Sequence, residues 1–177
     1  MQADIMVKFD DGPVCVFITG CTRGLGKGIA LVLAAELKAG SVVVLLGRSS
    51  SRLEETIAEI LKSNSKLYVK VNSSYDCSQL DTAEFSAMVD TVELPGNIDQ
   101  LLVIHNAATF GDATKKSFEL DTTEVDDYVK TNFISAVTTN TIIMRRFSCM
   151  LRTVVNITAN PLVSNFSGTA IYSAGEC

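Results

Sequence analysis

Tryptophan is absent from this chain, histidine occurs once and proline three times in 177 residues. The single histidine, His105, cannot complete a metal set, because Cys15, Cys21, Cys77, Cys149 and Cys177 stand singly with no C-x-x-C pair. The same scatter argues against a disulfide framework and reads as reduced thiols in a cytoplasmic protein. Long apolar runs are also missing. Ile29 to Ala35 is the longest, far below the ~18 residues of a membrane span, so no membrane-crossing segment is expected. Charge is not concentrated in one sign: Lys plus Arg number 15 and Asp plus Glu 20, a net charge of −5 without long runs. That balance argues against a nucleic-acid partner. Met1 to Asp11 is mixed and acidic, unlike a secretory signal, so the N-x-S/T sequons at Asn72, Asn156 and Asn165 carry no weight.

What the chain does have is 47% apolar residues, enough for one globular domain over residues 1–177 with a substantial core. Val14 to Ile18 reads as a buried strand, and Leu25, Ile29, Val32, Leu33 and Leu37 recur at helical spacing behind it. Between them lies Thr19-Gly20-Cys21-Thr22-Arg23-Gly24-Leu25-Gly26. A glycine turn between strand and helix lets the backbone approach a pyrophosphate, and the helix N-terminus supplies free N–H groups and partial positive charge. Further strands are expected at Val42 to Leu46, Leu67 to Val71, Leu101 to Ile104 and Thr153 to Ile157. Helical stripes fall between them at Leu53, Ile57, Ile60 and Leu61, and at Phe85, Met88, Val89 and Val92. A long helix is expected over Thr123 to Phe147, with Val125, Val129, Phe133 and Val137 on one face. This alternation predicts an α/β fold, a doubly wound parallel sheet of Rossmann type with strand order 3-2-1-4-5. Such folds usually carry at least six strands, so the reading expects a domain incomplete at its C-terminus, with strand five left as an edge.

The T-G-x-x-x-G-x-G spacing, the Asn106-Ala107 pair after strand four, Asn132 in the long helix and Tyr172 after strand five together resemble the short-chain dehydrogenase/reductase family. Within that family, Leu101 to Ile104, Gly111 to Lys115, Thr153 to Ile157 and Ala170 to Gly175 look most like the sepiapterin reductases, which use NADPH to reduce carbonyls on a pterin side chain. The resemblance implies that Gly20, Arg23, Gly24, Leu25 and Gly26 form the pyrophosphate loop and that Arg48 and Ser49 meet the adenosine ribose. It assigns Asp76 and Cys77 to the adenine, and Asn106, Ala107 and Ala108 to the nicotinamide side. The cofactor choice has a basis in charge as well. An NAD enzyme places an acid after strand two to hold the ribose 2′-hydroxyl, whereas Arg48, aided by Arg23, would pair a 2′-phosphate, which favours NADP. The resemblance further implies a small-molecule carbonyl substrate of the pterin kind and a homodimer through the long helix. His105 stands where the family has an asparagine and reads as a strand-end histidine bonded locally rather than as a general base.

For the chemistry, Tyr172 matches the family's acid and Asn132 the residue that holds a water in its proton relay. The family's catalytic serine position holds Ala159 here, with Thr158 as the neighbouring hydroxyl, and its lysine position holds Glu176. A carboxylate one helical turn from a tyrosine replaces attraction by repulsion, roughly 4 kcal/mol at ~4 Å and an effective dielectric of ~20. Two readings follow: an NADPH-dependent carbonyl reductase, or a catalytically silent, truncated NADP-binding or dimer-modulating chain.

Overall fold

Every side chain of the first strand is inaccessible to solvent, which a strand can manage only when helices cover both faces of its sheet. The computed structural model describes residues 12–148 and 150–158. Its element order is β1 (Val14–Thr19), α1 (Gly24–Glu36), β2 (Val42–Leu46), α2 (Ser50–Ser63), β3 (Tyr68–Asn72), α3 (Thr82–Asp90), β4 (Gln100–His105), α4 (Thr122–Val129), α5 (Ser135–Arg146) and β5 (Leu151–Asn156). The five strands are parallel in the order β3-β2-β1-β4-β5, the predicted order.

Alternation along the strands divides the core in two. Val14, Val16 and Ile18 join Val43, Leu45, Leu102 and Ile104 on the face covered by α1 and α2. Cys15 and Phe17 join Val44, Leu46, Leu101 and Val103 on the face covered by α3 and α5. Phe17 meets Phe147 there with ring centroids 5.8 Å apart. The two helices of the first layer are tied at their far ends by Asn64, whose Nδ2 donates to the carbonyls of Ala34 (3.0 Å) and Leu37 (2.9 Å).

Three expectations need correction. In α1, Leu25 and Val32 are more than 60% exposed, and the buried residues are Gly26, Ala30 and Ala34. Small side chains let this helix lie close to the sheet; of the expected stripe, Leu37 is buried and Ile29 and Leu33 pack partly buried against the core, while Leu25 and Val32 face outward. The long helix is not uniform: a π-helical stretch, Lys130–Ile134, separates α4, which buries Tyr128, from α5, which buries Ser135, Thr139 and Ile143. The apolar residues Val125, Val129, Phe133 and Val137, expected on one face, are all exposed, Phe133 at 65%. Finally, β3 and β5 start or stop one or two residues from the expected points. For β5, Leu151 N–H donates to Asp99 O at 2.8 Å, so pairing begins before the apolar run. Leu151, Val154 and Val155 on this strand are exposed. No helix among the described residues is long and apolar enough to cross a membrane.

Candidate functional site

Strand order reverses between β1 and β4, whose carboxyl ends therefore diverge into loops that turn to opposite faces, and ligands of open α/β sheets bind in that crevice. A cleft of about 1040 Å³ opens there, at the upper end of the range for small-molecule sites and sufficient for a dinucleotide. Gly20, Arg23, Gly24, Leu25, Gly26, Arg48, Ser49, Asp76, Cys77, Asn106, Ala107 and Ala108 all line it. Asn132 and Thr158 are not in its wall; Thr158 is exposed just beyond β5. Tyr172, Ala159 and Glu176 lie outside the described residues.

The glycine loop is held from the β4 side. Thr19 Oγ1 accepts from the backbone N–H groups of Asn106 and Ala107, both at 3.0 Å, and Asn106 Nδ2 donates to Thr19 O (3.2 Å) and Gly20 O (3.1 Å). Both donors of the Asn106 amide are thereby spent on the loop backbone. Gly20 has φ +68°, and a Cβ there would stand 2.9 Å from Ala107 Cα. Thr19, 2% exposed, was not expected among the site residues. Its signal in the sequence is the hydroxyl placed at the strand end immediately before the first glycine.

Electrostatics divide the cleft. α1 and α2 begin at its wall with no side-chain cap and no acid in the first turn, which leaves N–H groups and partial positive charge available to an anion. By contrast α3 and α4 are capped by Asp81 and Asp121 with Glu84 and Glu124 three residues on. Arg23, Arg48 and Arg52 line the first end, and Arg48 Nη1 lies 3.8 Å from Asp76 Oδ2. Asp112, Glu124 and Asp127 line the other, with Lys115 Nζ 2.6 Å from Glu124 Oε1. A phosphate-rich ligand fits the first end, where cations and free helix N–H groups converge on a glycine turn.

Beneath the cleft Tyr75 is buried, its hydroxyl 2.8 Å from Thr139 Oγ1. Burial raises its phenol well above the ordinary range and also raises the Cys77 thiol, so neither ionises readily. Asn132 lies in the π-helical stretch, where its Oδ1 accepts from Thr109 N–H (2.8 Å) and its Nδ2 donates to Thr109 O (2.7 Å). The side chain thus clamps the loop that lines the cleft after Ala108.

His105 departs from the local bonding expected of it. It is buried at the end of β4, and neither its Nε2 nor the neighbouring Asn140 Oδ1 makes a hydrogen bond of ordinary geometry. Burial lowers its imidazole below the usual 6.5, against a smaller opposing influence of Asn140. The unfolded chain takes up a proton near pH 6.5 that the folded chain resists, so this contribution to stability is present above that pH and is lost as pH falls. Between pH 7 and 5.5, above the range of ordinary carboxylates, the melting temperature should decline. Calorimetry on His105→Gln should show a flatter profile there, and an unchanged slope would contradict this origin.

The sequence profile described as short chain dehydrogenase matches residues 14–175. The chain is similar to the sepiapterin reductase of Rattus norvegicus, 32% identical over 167 residues that cover 92% of this chain and 63% of that protein. It is also similar to the sepiapterin reductase of Bos taurus, 32% identical over 168 residues covering 92% and 62%. The chain therefore spans less than two thirds of the length of these relatives. Among solved structures, a short-chain dehydrogenase from Escherichia coli CFT073 complexed with NADPH superimposes with a TM-score of 0.76 at 18% identity, covering 96% of this chain and 69% of that one. At that identity the likeness is one of fold.

Proposed function

The chain belongs to the short-chain dehydrogenase/reductase family, and from that premise we propose that it is a cytoplasmic NADPH-dependent carbonyl reductase whose substrate class is a small carbonyl compound of the pterin kind, as in tetrahydrobiopterin synthesis. The observation that carries the reading is the cationic end of the cleft, where Arg23 and Arg48 flank the glycine loop and the open N-terminus of α1. Gly20, Gly24, Leu25 and Gly26 would hold the pyrophosphate, Arg48 and Ser49 the adenosine ribose, Asp76 and Cys77 the adenine, and Asn106, Ala107 and Ala108 the nicotinamide side. Bound there, the nicotinamide would supply a hydride. Tyr172 would hold the proton destined for the carbonyl oxygen, with Thr158, next to the family's serine position, as the assisting hydroxyl. Asn132 would keep the loop at Thr109 in place beside the reacting groups. The exposed apolar residues Val125, Val129, Phe133 and Val137 support pairing of two copies through this helix.

Ala159 and Glu176, at positions where the family has serine and lysine, favour a second reading, an NADP-binding chain without turnover. One assay separates them. Absorbance of NADPH followed with sepiapterin and with a simple diketone should fall if the chain is a reductase. Tight NADPH binding with constant absorbance would establish the silent reading, and failure to bind NADPH or NADH would defeat both.

A further inference from the structure

Arg52 lines the cleft beside Gly47, Arg48 and Ser49. Unlike Arg48, its guanidinium has no ion-pair partner among the described residues. We propose that Arg52 is a further residue that, beside Arg48, sets preference for a nucleotide bearing a ribose 2′-phosphate over one bearing a 2′-hydroxyl. The proposal rests on the dinucleotide reading of the cleft and deepens it.

The arginine after β2 is not a free charge. Arg48 Nη1 faces Asp76 Oδ2 at 3.8 Å, while Asp76 Oδ1 is committed to the N–H (2.9 Å) and hydroxyl (2.8 Å) of Ser78. The positive charge of Arg48 is thus partly balanced before any ligand arrives. Arg52 carries no such counter-charge, and it stands where local rules call for the opposite sign. With Ser49 as N-cap of α2, Arg52 occupies the third helical position. In α3 and α4 that position holds Glu84 and Glu124, and in α4 the carboxylate completes a capping box. A cation there opposes the helix dipole and costs α2 stability. Local rules are broken most often where a site requires it. A phosphate dianion entering between Arg48 and Arg52 would satisfy both guanidinium groups and the free N–H groups of the first turn together. A ribose hydroxyl brings no charge, so Arg52 discriminates between the two nucleotides rather than strengthening binding of both.

The test is titration of the chain with NADPH and with NADH, read by nicotinamide fluorescence, together with the melting temperature of the free protein. Arg52→Gln is expected to weaken NADPH binding by about tenfold or more while NADH stays within about twofold. Arg52→Lys should retain much of the NADPH preference. Arg52→Glu should abolish the preference and yet raise the melting temperature of the free protein, because it restores the serine-to-glutamate capping pattern. Equal loss of NADPH and NADH in Arg52→Gln, or no loss of either, would overturn the proposal while leaving the dinucleotide reading intact. A wild-type chain that binds neither nucleotide would overturn that reading and this proposal with it.

Discussion

Gly26→Val is expected to lower the melting temperature by roughly 6–12 °C and to abolish nucleotide binding. A Cβ at this position would stand 2.3 Å from Asn106 Nδ2 and 2.4 Å from Gly20 O, inside any tolerable contact. Neither neighbour can give way. Asn106 Nδ2 is fixed by two carbonyls of the glycine loop, and Gly20 is anchored by its own N–H to Leu46 O at 3.0 Å. The helix cannot back off either, because Ala30 and Ala34 on the same face are fully buried against the sheet. Overpacking of this kind costs on the order of 3 kcal/mol, and each kcal/mol moves the midpoint of a chain this size by about 2–4 °C. Gly28→Ala is the control. It lies two residues on, with nothing within 4 Å of its would-be Cβ, so alanine should leave the melting curve unchanged or raise it slightly through better helix propensity. Thermal denaturation of the two variants side by side measures the difference, and a Gly26→Val protein that melts with the wild type would refute the close contact.

The same contact explains why parts of this architecture could be read from sequence and others could not. Strands β1, β2 and β4 announce themselves because parallel strands buried on both faces are continuously apolar, as Val42–Leu46 is. The strand order then follows from alternation with helices. The buried face of α1 is only partly marked, by Ile29, Leu33 and Leu37: where backbones approach closely, glycine and alanine replace the large residues that periodicity detects, and Leu25 and Val32 point outward. The π-helical turn at Lys130–Ile134 has no residue signature, and the partner that its Asn132 holds, Thr109, lies 23 positions away in sequence. The residues gathered in the cleft were legible because they follow strand ends, and strand ends converge in this topology. The roles of Thr19 and Asn106 as clamps were not, because hydrogen bonds between separate loops leave no trace in local spacing. Arg52 carries no such signal, because a charged residue on an exposed helix usually signifies only solvent.

Tyr172→Phe and Asn132→Ala are expected to reduce turnover by different routes, and the difference is measurable. Removing the Tyr172 hydroxyl deletes the proposed proton donor, which should lower turnover by roughly 10²–10⁴-fold. NADPH affinity should hold, because the groups proposed to bind it lie on the glycine loop and at the ends of β2, β3 and β4. Asn132→Ala deletes two hydrogen bonds at once, leaving both the N–H and the carbonyl of Thr109 without their partner. Orphaning part-buried backbone groups costs about 2 kcal/mol, or roughly 4–8 °C in melting temperature, and it frees the segment after Ala108 that lines the cleft. Turnover, NADPH affinity and amide protection at Thr109 should therefore fall together in Asn132→Ala, where Tyr172→Phe changes turnover alone. Asn132→Asp refines the point: it keeps an acceptor for Thr109 N–H but sets a carboxylate oxygen against Thr109 O, so half the clamp becomes repulsive. If Asn132→Ala instead lost turnover with its melting temperature and Thr109 protection intact, Asn132 would act on the reacting groups directly, as a holder of water, and not through the loop.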